Sequence, residues 1–147
     1  MLDPRPAPGA ATPPRPTVLL VDDDLAVQDA IEMMLEAEGY RVVTADDGRQ
    51  ALAAYPEVRP DLVITDIIMP NETGLAVLAG IKRMNPAAKV IVMSGGGRTT
   101  NIDFLDMAAE LGASVVLDKP CDPDELLGTV GRLLSTPSAF VDMSDVG

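Results

Sequence analysis

The sequence predicts an α/β fold: a doubly wound parallel sheet of five strands with helices on both faces. Three observations predict it. Five short runs rich in Val, Ile and Leu are continuous rather than alternating, as strands buried on both faces should be. Segments of helical period separate these runs. Just after four of them stand polar residues that would share one rim, at the strand ends where such sheets bind ligands.

The elements follow in order. Residues 1–16 are rich in Pro and Ala, with prolines at 4, 6, 8, 13, 14 and 16. Repeated prolines remove backbone donors and fix φ, which predicts a disordered or polyproline-like arm, either a solvated tail or a docking peptide. The first strand is Thr17–Val21. The helix after it carries Val27, Ile31, Met34 and Leu35 on one face, and Gly39 ends it. Strands at Arg41–Ala45, Asp61–Thr65, Lys89–Met93 and Ser114–Leu117 alternate with weaker helices near Gly48–Ala54, Thr73–Met84 and Ile102–Leu111. Asp122-Pro123 opens the fifth helix with a cap and a first-turn proline. Leu126, Val130, Leu133 and Leu134 form its apolar face, and Pro137 stops it. The expected organisation is an arm at 1–16, one domain at 17–134 and a flexible tail at 135–147.

Composition narrows the function. A chain of 147 residues with 47% hydrophobic side chains has room for one core. Aromatics are 3% and Trp is absent, so that core is aliphatic. The net charge of −12 argues against direct nucleic-acid binding and against docking on an anionic membrane. A cation or a basic protein surface suits it better. One cysteine, Cys121, allows no intrachain disulfide and suits a reducing compartment. No run approaches the ~20 apolar residues of a membrane helix. The start lacks a basic stretch followed by an apolar one, so a cytoplasmic protein is expected. Histidine is absent, which excludes His metal ligands, His general bases and Ser-His-Asp triads within the chain.

The chemistry concentrates at one rim. Asp22-Asp23-Asp24 follow the first strand, Asp66 the third, Ser94 the fourth and Lys119 the fifth. Two carboxylates ~4 Å apart repel by about 4 kcal/mol at an effective dielectric near 20, so such a cluster needs a cation or a proton. Hard oxygens suit Mg²⁺. A carboxylate beside a divalent cation can attack phosphorus and form an acyl phosphate. Each residue also has a plain structural role open to it. Asp24 is well placed to cap the first helix, Asp66 precedes ordinary proline punctuation, Ser94 leads into Gly95-Gly96-Gly97, and a lone lysine is usually a surface residue. Pro120 biases Lys119 toward extended backbone. No Gly-Lys-Ser/Thr follows the glycines, so a nucleotide-hydrolysing loop is not supported. Cys121 reads as a small, partly buried side chain.

Together, Val-Asp-Asp at the first strand end, Asp-x-x-Met-Pro at the third, a hydroxyl at the fourth and Lys-Pro at the fifth resemble a response-regulator receiver domain. This is the phospho-acceptor module of two-component signal transduction, and the similarity runs from about Thr17 to Leu134. The resemblance implies a flavodoxin-like sheet of order 2-1-3-4-5. It implies Asp66 as phospho-acceptor, with Mg²⁺ held by Asp22, Asp23, Asp66 and the backbone carbonyl of Ile68. Ser94 and Lys119 would bind the phosphoryl oxygens. The donor would be a phosphohistidine on a sensor histidine kinase or a histidine phosphotransfer protein. The output would be a downstream protein bound at the face of the fourth helix, fifth strand and fifth helix. The chain would be a monomer or a phosphorylation-dependent dimer, and a phospho-acceptor rather than a turnover enzyme.

Some positions depart from the family pattern. Val116 stands where receivers usually carry Tyr or Phe, so the signal from Ser94 would travel instead through the glycine loop and the Ile102–Leu111 helix. The Gly95–Thr100 loop looks long, and Cys121 replaces a frequent aromatic. Ile68 is apolar near the expected path of attacking water, which predicts slow self-dephosphorylation. Nothing after Leu134 reads as an output domain, so a stand-alone receiver is expected, a piece of a longer regulator being the other possibility. Three rivals stay open. A pseudo-receiver would bind partners without phosphorylation. An Mg²⁺-dependent aspartyl-nucleophile phosphatase would want an acid where Ile68 stands. A flavin module of the same topology is opposed by scarce aromatics and the acidic rim.

Overall fold

A computed structural model describes residues 15–67, 73–94, 107–118 and 122–135. Its strands are β1 (Thr17–Val21), β2 (Arg41–Ala45), β3 (Leu62–Asp66), β4 (Val90–Ser94) and β5 (Val115–Asp118). The helices are α1 (Leu25–Ala37), α2 (Gly48–Val58), α3 (Gly74–Met84) and α5 (Pro123–Ser135), with residues 107–110 helical as the described part of α4. The sheet is parallel throughout and ordered β2-β1-β3-β4-β5. This is the expected doubly wound, flavodoxin-like topology.

Alternation along the strands divides the core in two. Leu19, Val21, Val63, Val90 and Val92 point to one face and pack with Ala51 and Tyr55 of α2, Val77, Leu78 and Ile81 of α3, and Ala108 of α4. Val18, Leu20, Leu62, Ile64, Ile91, Met93 and Leu117 point to the other and pack with Ile31 and Leu35 of α1 and Leu126 and Val130 of α5. Both faces are covered, which is why these strands are continuous apolar runs. Full burial of one such Leu, Ile or Val contributes about 1.5–3 kcal/mol.

Local chemistry sets the helix ends. Asp24 caps α1, its carboxylate accepting from the amides of Ala26 (3.0 Å) and Val27 (3.2 Å). Gly39, at φ +95°, closes α1 in the left-handed region that glycine enters without strain. Helix α2 runs on to Val58, past the expected Ala54 and through Pro56. The helix closes three residues after that proline, where Arg59 turns left-handed and its amide donates to Tyr55 O at 2.9 Å.

The last three strands lie one residue further along than expected. Asp61 and Ser114 serve as side-chain acceptors at strand starts, for the amides of Thr17 (2.8 Å) and Val90 (3.2 Å). At the other end the ladder continues through Asp66, which pairs with Met93, and through Ser94, which pairs with Asp118. Asp66 and Ser94 are therefore final strand residues rather than the first residues of loops. Most of the Ile102–Leu111 helix, the glycine run and both tails, residues 1–14 and 136–147, fall outside the described residues. Among the described residues no helix is long and apolar enough to cross a membrane.

Candidate functional site

The rim is assembled by register. Val21 of β1 pairs with Thr65 of β3, so the next residues, Asp22 and Asp66, emerge side by side. The Asp22 amide donates to Ala45 O at 3.1 Å, which carries the β1–β2 ladder one step past the strands. Carboxylate oxygens from Asp22, Asp23 and Asp66 lie within 4.8 Å of one another. Asp22 and Asp66 are buried while Asp23 is exposed.

The three consecutive aspartates have three tasks. Asp22 turns inward, and its Oδ1 accepts from the Asp24 amide at 2.9 Å, which shapes the loop. Asp23 faces solvent at the mouth of the cluster. Asp24 is spent on the cap of α1.

Asp66 stands on a braced piece of backbone. The Ile67 amide donates to Met93 O at 2.9 Å, and the Thr65 hydroxyl donates to Asp66 O at 3.0 Å. The Gly74 amide donates to Ile67 O at 2.7 Å, seating the start of α3 on the end of β3. Thr73 caps that helix, its Oγ1 accepting from the Ala76 amide at 3.1 Å. A Cβ on Gly74 would collide with Asp66 O and lie 2.7 Å from Ile67 Cα, so this helix approaches closely only because the residue is glycine.

Carboxylates this close repel one another, least where Asp23 opens to solvent. The donor set is three hard oxygens, two of them buried, open to solvent on the side of Asp23. That set fits Mg²⁺ and does not fit a soft metal, since no thiolate or imidazole belongs to it.

Ser94 lies at the same edge, one step past the Met93 that pairs with Asp66, and is 1% exposed. Strand β5 ends at Asp118, opposite Ser94. Lys119 and Ile68, together with Pro120 and Cys121, lie outside the described residues.

Two supporting residues were missed by sequence reasoning. Gln28 sits three residues before Ile31 and seven before Leu35, on the buried face of α1, and is 5% exposed. A polar residue within an apolar stripe was the available signal. Gly74 offered none, because its role depends on where α3 meets β3.

A family model described as the response regulator receiver domain matches residues 18–131. The chain is 36% identical over 121 residues to the DNA-binding transcriptional regulator NtrC of Salmonella typhimurium, covering 82% of this chain and 25% of that protein. It is 30% identical over 136 residues to the DNA-binding response regulator MtrA of Mycobacterium leprae, covering 90% of this chain and 59% of MtrA. The chain thus spans a quarter of NtrC and under two thirds of MtrA. Among solved structures, the chemotaxis protein CheY4 of Vibrio cholerae superposes with a TM-score of 0.75 at 30% identity, covering 82% of this chain and 99% of CheY4.

Proposed function

This chain belongs to the response regulator receiver family of two-component systems, and on that premise we propose that Asp66 accepts a phosphoryl group from a protein phosphohistidine. Receivers are signalling modules, and Mg²⁺ at an acidic cluster is general among them. The convergence of Asp22, Asp23 and Asp66 at the paired ends of β1 and β3 carries the proposal.

An Asp66 carboxylate oxygen attacks phosphorus as the bond from phosphorus to the donor imidazole breaks, and the imidazole nitrogen keeps the electron pair. A donor on a sensor kinase or a phosphotransfer protein suits the absence of histidine from this sequence. Asp22, Asp23, Asp66 and the Ile68 carbonyl would hold Mg²⁺, which when bound neutralises charge on the phosphoryl oxygens. Ser94 donates its hydroxyl to one phosphoryl oxygen and Lys119 pairs with another. The braced backbone at Asp66 keeps the nucleophile in place, so the step is mainly positioning.

The receiver unit is residues 17–134. Phosphorylation adds about −1.5 to −2 charge at the rim. Rearrangement at Ser94 then biases the segment leading into α4 and the face formed by α4, β5 and α5, where a downstream protein docks. Val116 supports this route. It is half-buried against the apolar core beside Val92, and it is not an aromatic switch.

The test is intact mass after incubation with a small acyl-phosphate donor, in Mg²⁺ and in EDTA, for wild type and Asp66→Ala. A single phosphoryl adduct that requires both Mg²⁺ and Asp66 is expected. A folded, Mg²⁺-binding wild type that gains no adduct from the donor or from a phosphorylated kinase would make the chain a phosphorylation-independent binding module instead.

A further inference from the structure

We infer that Gln28 is a positioning residue for the metal side of this site, holding the Asp22–Asp23 peptide so that the Asp23 carboxylate meets those of Asp22 and Asp66. The inference rests on the reading that this cluster binds Mg²⁺.

The side-chain nitrogen of Gln28 lies 3.1 Å from Asp22 O, 3.2 Å from Ala45 O and 3.1 Å from Asp46 Oδ1. A primary amide has two hydrogens, so three acceptors share them. The acceptors come from the ends of two neighbouring strands, and Gln28 is 5% exposed, which leaves its amide little freedom.

Asp22 O belongs to the peptide that joins Asp22 to Asp23. Restraining that oxygen restrains the peptide plane, and with it the direction in which Asp23 leaves the chain. The loop is tied elsewhere as well. The Asp22 amide donates to Ala45 O at 3.1 Å, and Asp24 caps the helix that carries Gln28. With Gln28 added, the loop is held at its start, at its middle and at its entry into α1. Asp23 is the most exposed of the three clustered aspartates, so it depends most on its backbone for direction.

A purely structural role would satisfy buried carbonyls and affect stability alone. A positioning role also changes metal affinity, and groups that orient metal ligands typically alter it by about 10–100-fold when removed. The experiment is Mg²⁺ titration of the full, unphosphorylated chain by calorimetry, with Mn²⁺ binding by electron paramagnetic resonance as a second readout. Gln28→Met keeps the length and removes the donor. Gln28→Asn keeps the amide, cannot reach all three acceptors, and serves if the first variant fails to fold. Ile81→Val, on the buried face of α3, supplies a loss of stability without touching the rim.

The expected result is Mg²⁺ binding weakened by about tenfold or more in the Gln28 variants and by less than about twofold in Ile81→Val. Adduct formation should then need more Mg²⁺ but approach the wild-type rate at saturation. Wild-type Mg²⁺ affinity in a folded, destabilised Gln28 variant overturns the inference and leaves the receiver reading standing. A wild type that binds no Mg²⁺ overturns the reading itself, and the inference with it.

Discussion

Gly74 rests directly on the backbone of Asp66. A Cβ at position 74 would collide with Asp66 O and stand 2.9 Å from the Asp66 carbonyl carbon, so α3 and the end of β3 share a space that admits only a hydrogen. The start of a helix and the candidate acceptor residue are thereby fixed to each other.

Gly74→Ala therefore forces the two apart. It should cost about 1–3 kcal/mol of stability, as overpacking does, and slow adduct formation by about tenfold or more through displacement of the Asp66 carboxylate. Gly128→Ala in α5 is the control, because nothing lies within 4 Å of a Cβ built there. It should stabilise by about 0.5–1 kcal/mol. Denaturant unfolding and adduct mass measure both, and equal behaviour of the two variants would refute the argument.

The carboxylate cluster sets up a trade between stability and metal binding. Without Mg²⁺, Asp23→Asn should raise stability, more at low ionic strength than in salt, since a like charge leaves the rim. With Mg²⁺ at about 100 times its dissociation constant, wild type should gain about 2.7 kcal/mol. The variant should gain far less. Thermal melts in EDTA and in Mg²⁺ decide this, and a variant that gains as much as wild type would remove Asp23 from the site.

Asp24 tests the division of tasks among the three aspartates. Asp24→Ala should lose about 1 kcal/mol, the usual worth of an N-cap, because the amides of Ala26 and Val27 lose their acceptor. Its Mg²⁺ affinity should change much less than that of Asp23→Asn. A larger loss of affinity in Asp24→Ala would show that the cap and metal roles are assigned to the wrong residues.

Helix α1 carries a pH-dependent strain of its own. Glu32 has a carboxyl pKa raised first by partial burial, then by Glu36 and Asp29 one turn away on either side. A raised folded-state pKa means the native chain holds more protons than the unfolded one in the window just above pH 4.5, so stability there falls as pH rises. Glu32→Gln should flatten that fall. At pH 7 it should add about 0.2–0.5 kcal/mol at low ionic strength, less in salt, with the gain vanishing in acid. Melts from pH 3.5 to 7 at two salt concentrations measure it, and a gain constant across that range would refute it.

Lifetime of the acyl phosphate tests the apolar residue at position 68. With isoleucine near the expected path of water, self-dephosphorylation in Mg²⁺ should be slow. Ile68→Asn or Ile68→Glu should speed it by offering a polar group to the attacking water. Decay followed by intact mass decides the matter, and a wild-type half-life of seconds would contradict the expectation.

Much of this protein is legible along the chain because its signals are local. Continuous apolar runs mark strands buried on both faces, and Asp24, Gly39 and Asp122-Pro123 mark helix ends within a few residues of themselves. The acidic residues stand at strand ends in any parallel arrangement of these runs, which is why Asp22, Asp23 and Asp66 were candidates at once. Asp24 kept two readings until its carboxylate was seen on the α1 amides. The strand ends were misjudged by one residue, because a ladder stops where the neighbouring strand stops offering partners, and neither strand alone records that.

Tertiary structure decided everything that depends on two elements meeting. Only register brings Asp66 beside Asp22, and only the seating of α3 on β3 makes Gly74 indispensable. Only the burial of α1 turns Gln28 from an ordinary helical residue into a donor shared by two strand ends. Caps and hydrophobic period act over three or four residues and can be read in order. Close approach and shared hydrogen bonds act between residues tens of positions apart, and they exist only once the sheet and its helices have closed on one another.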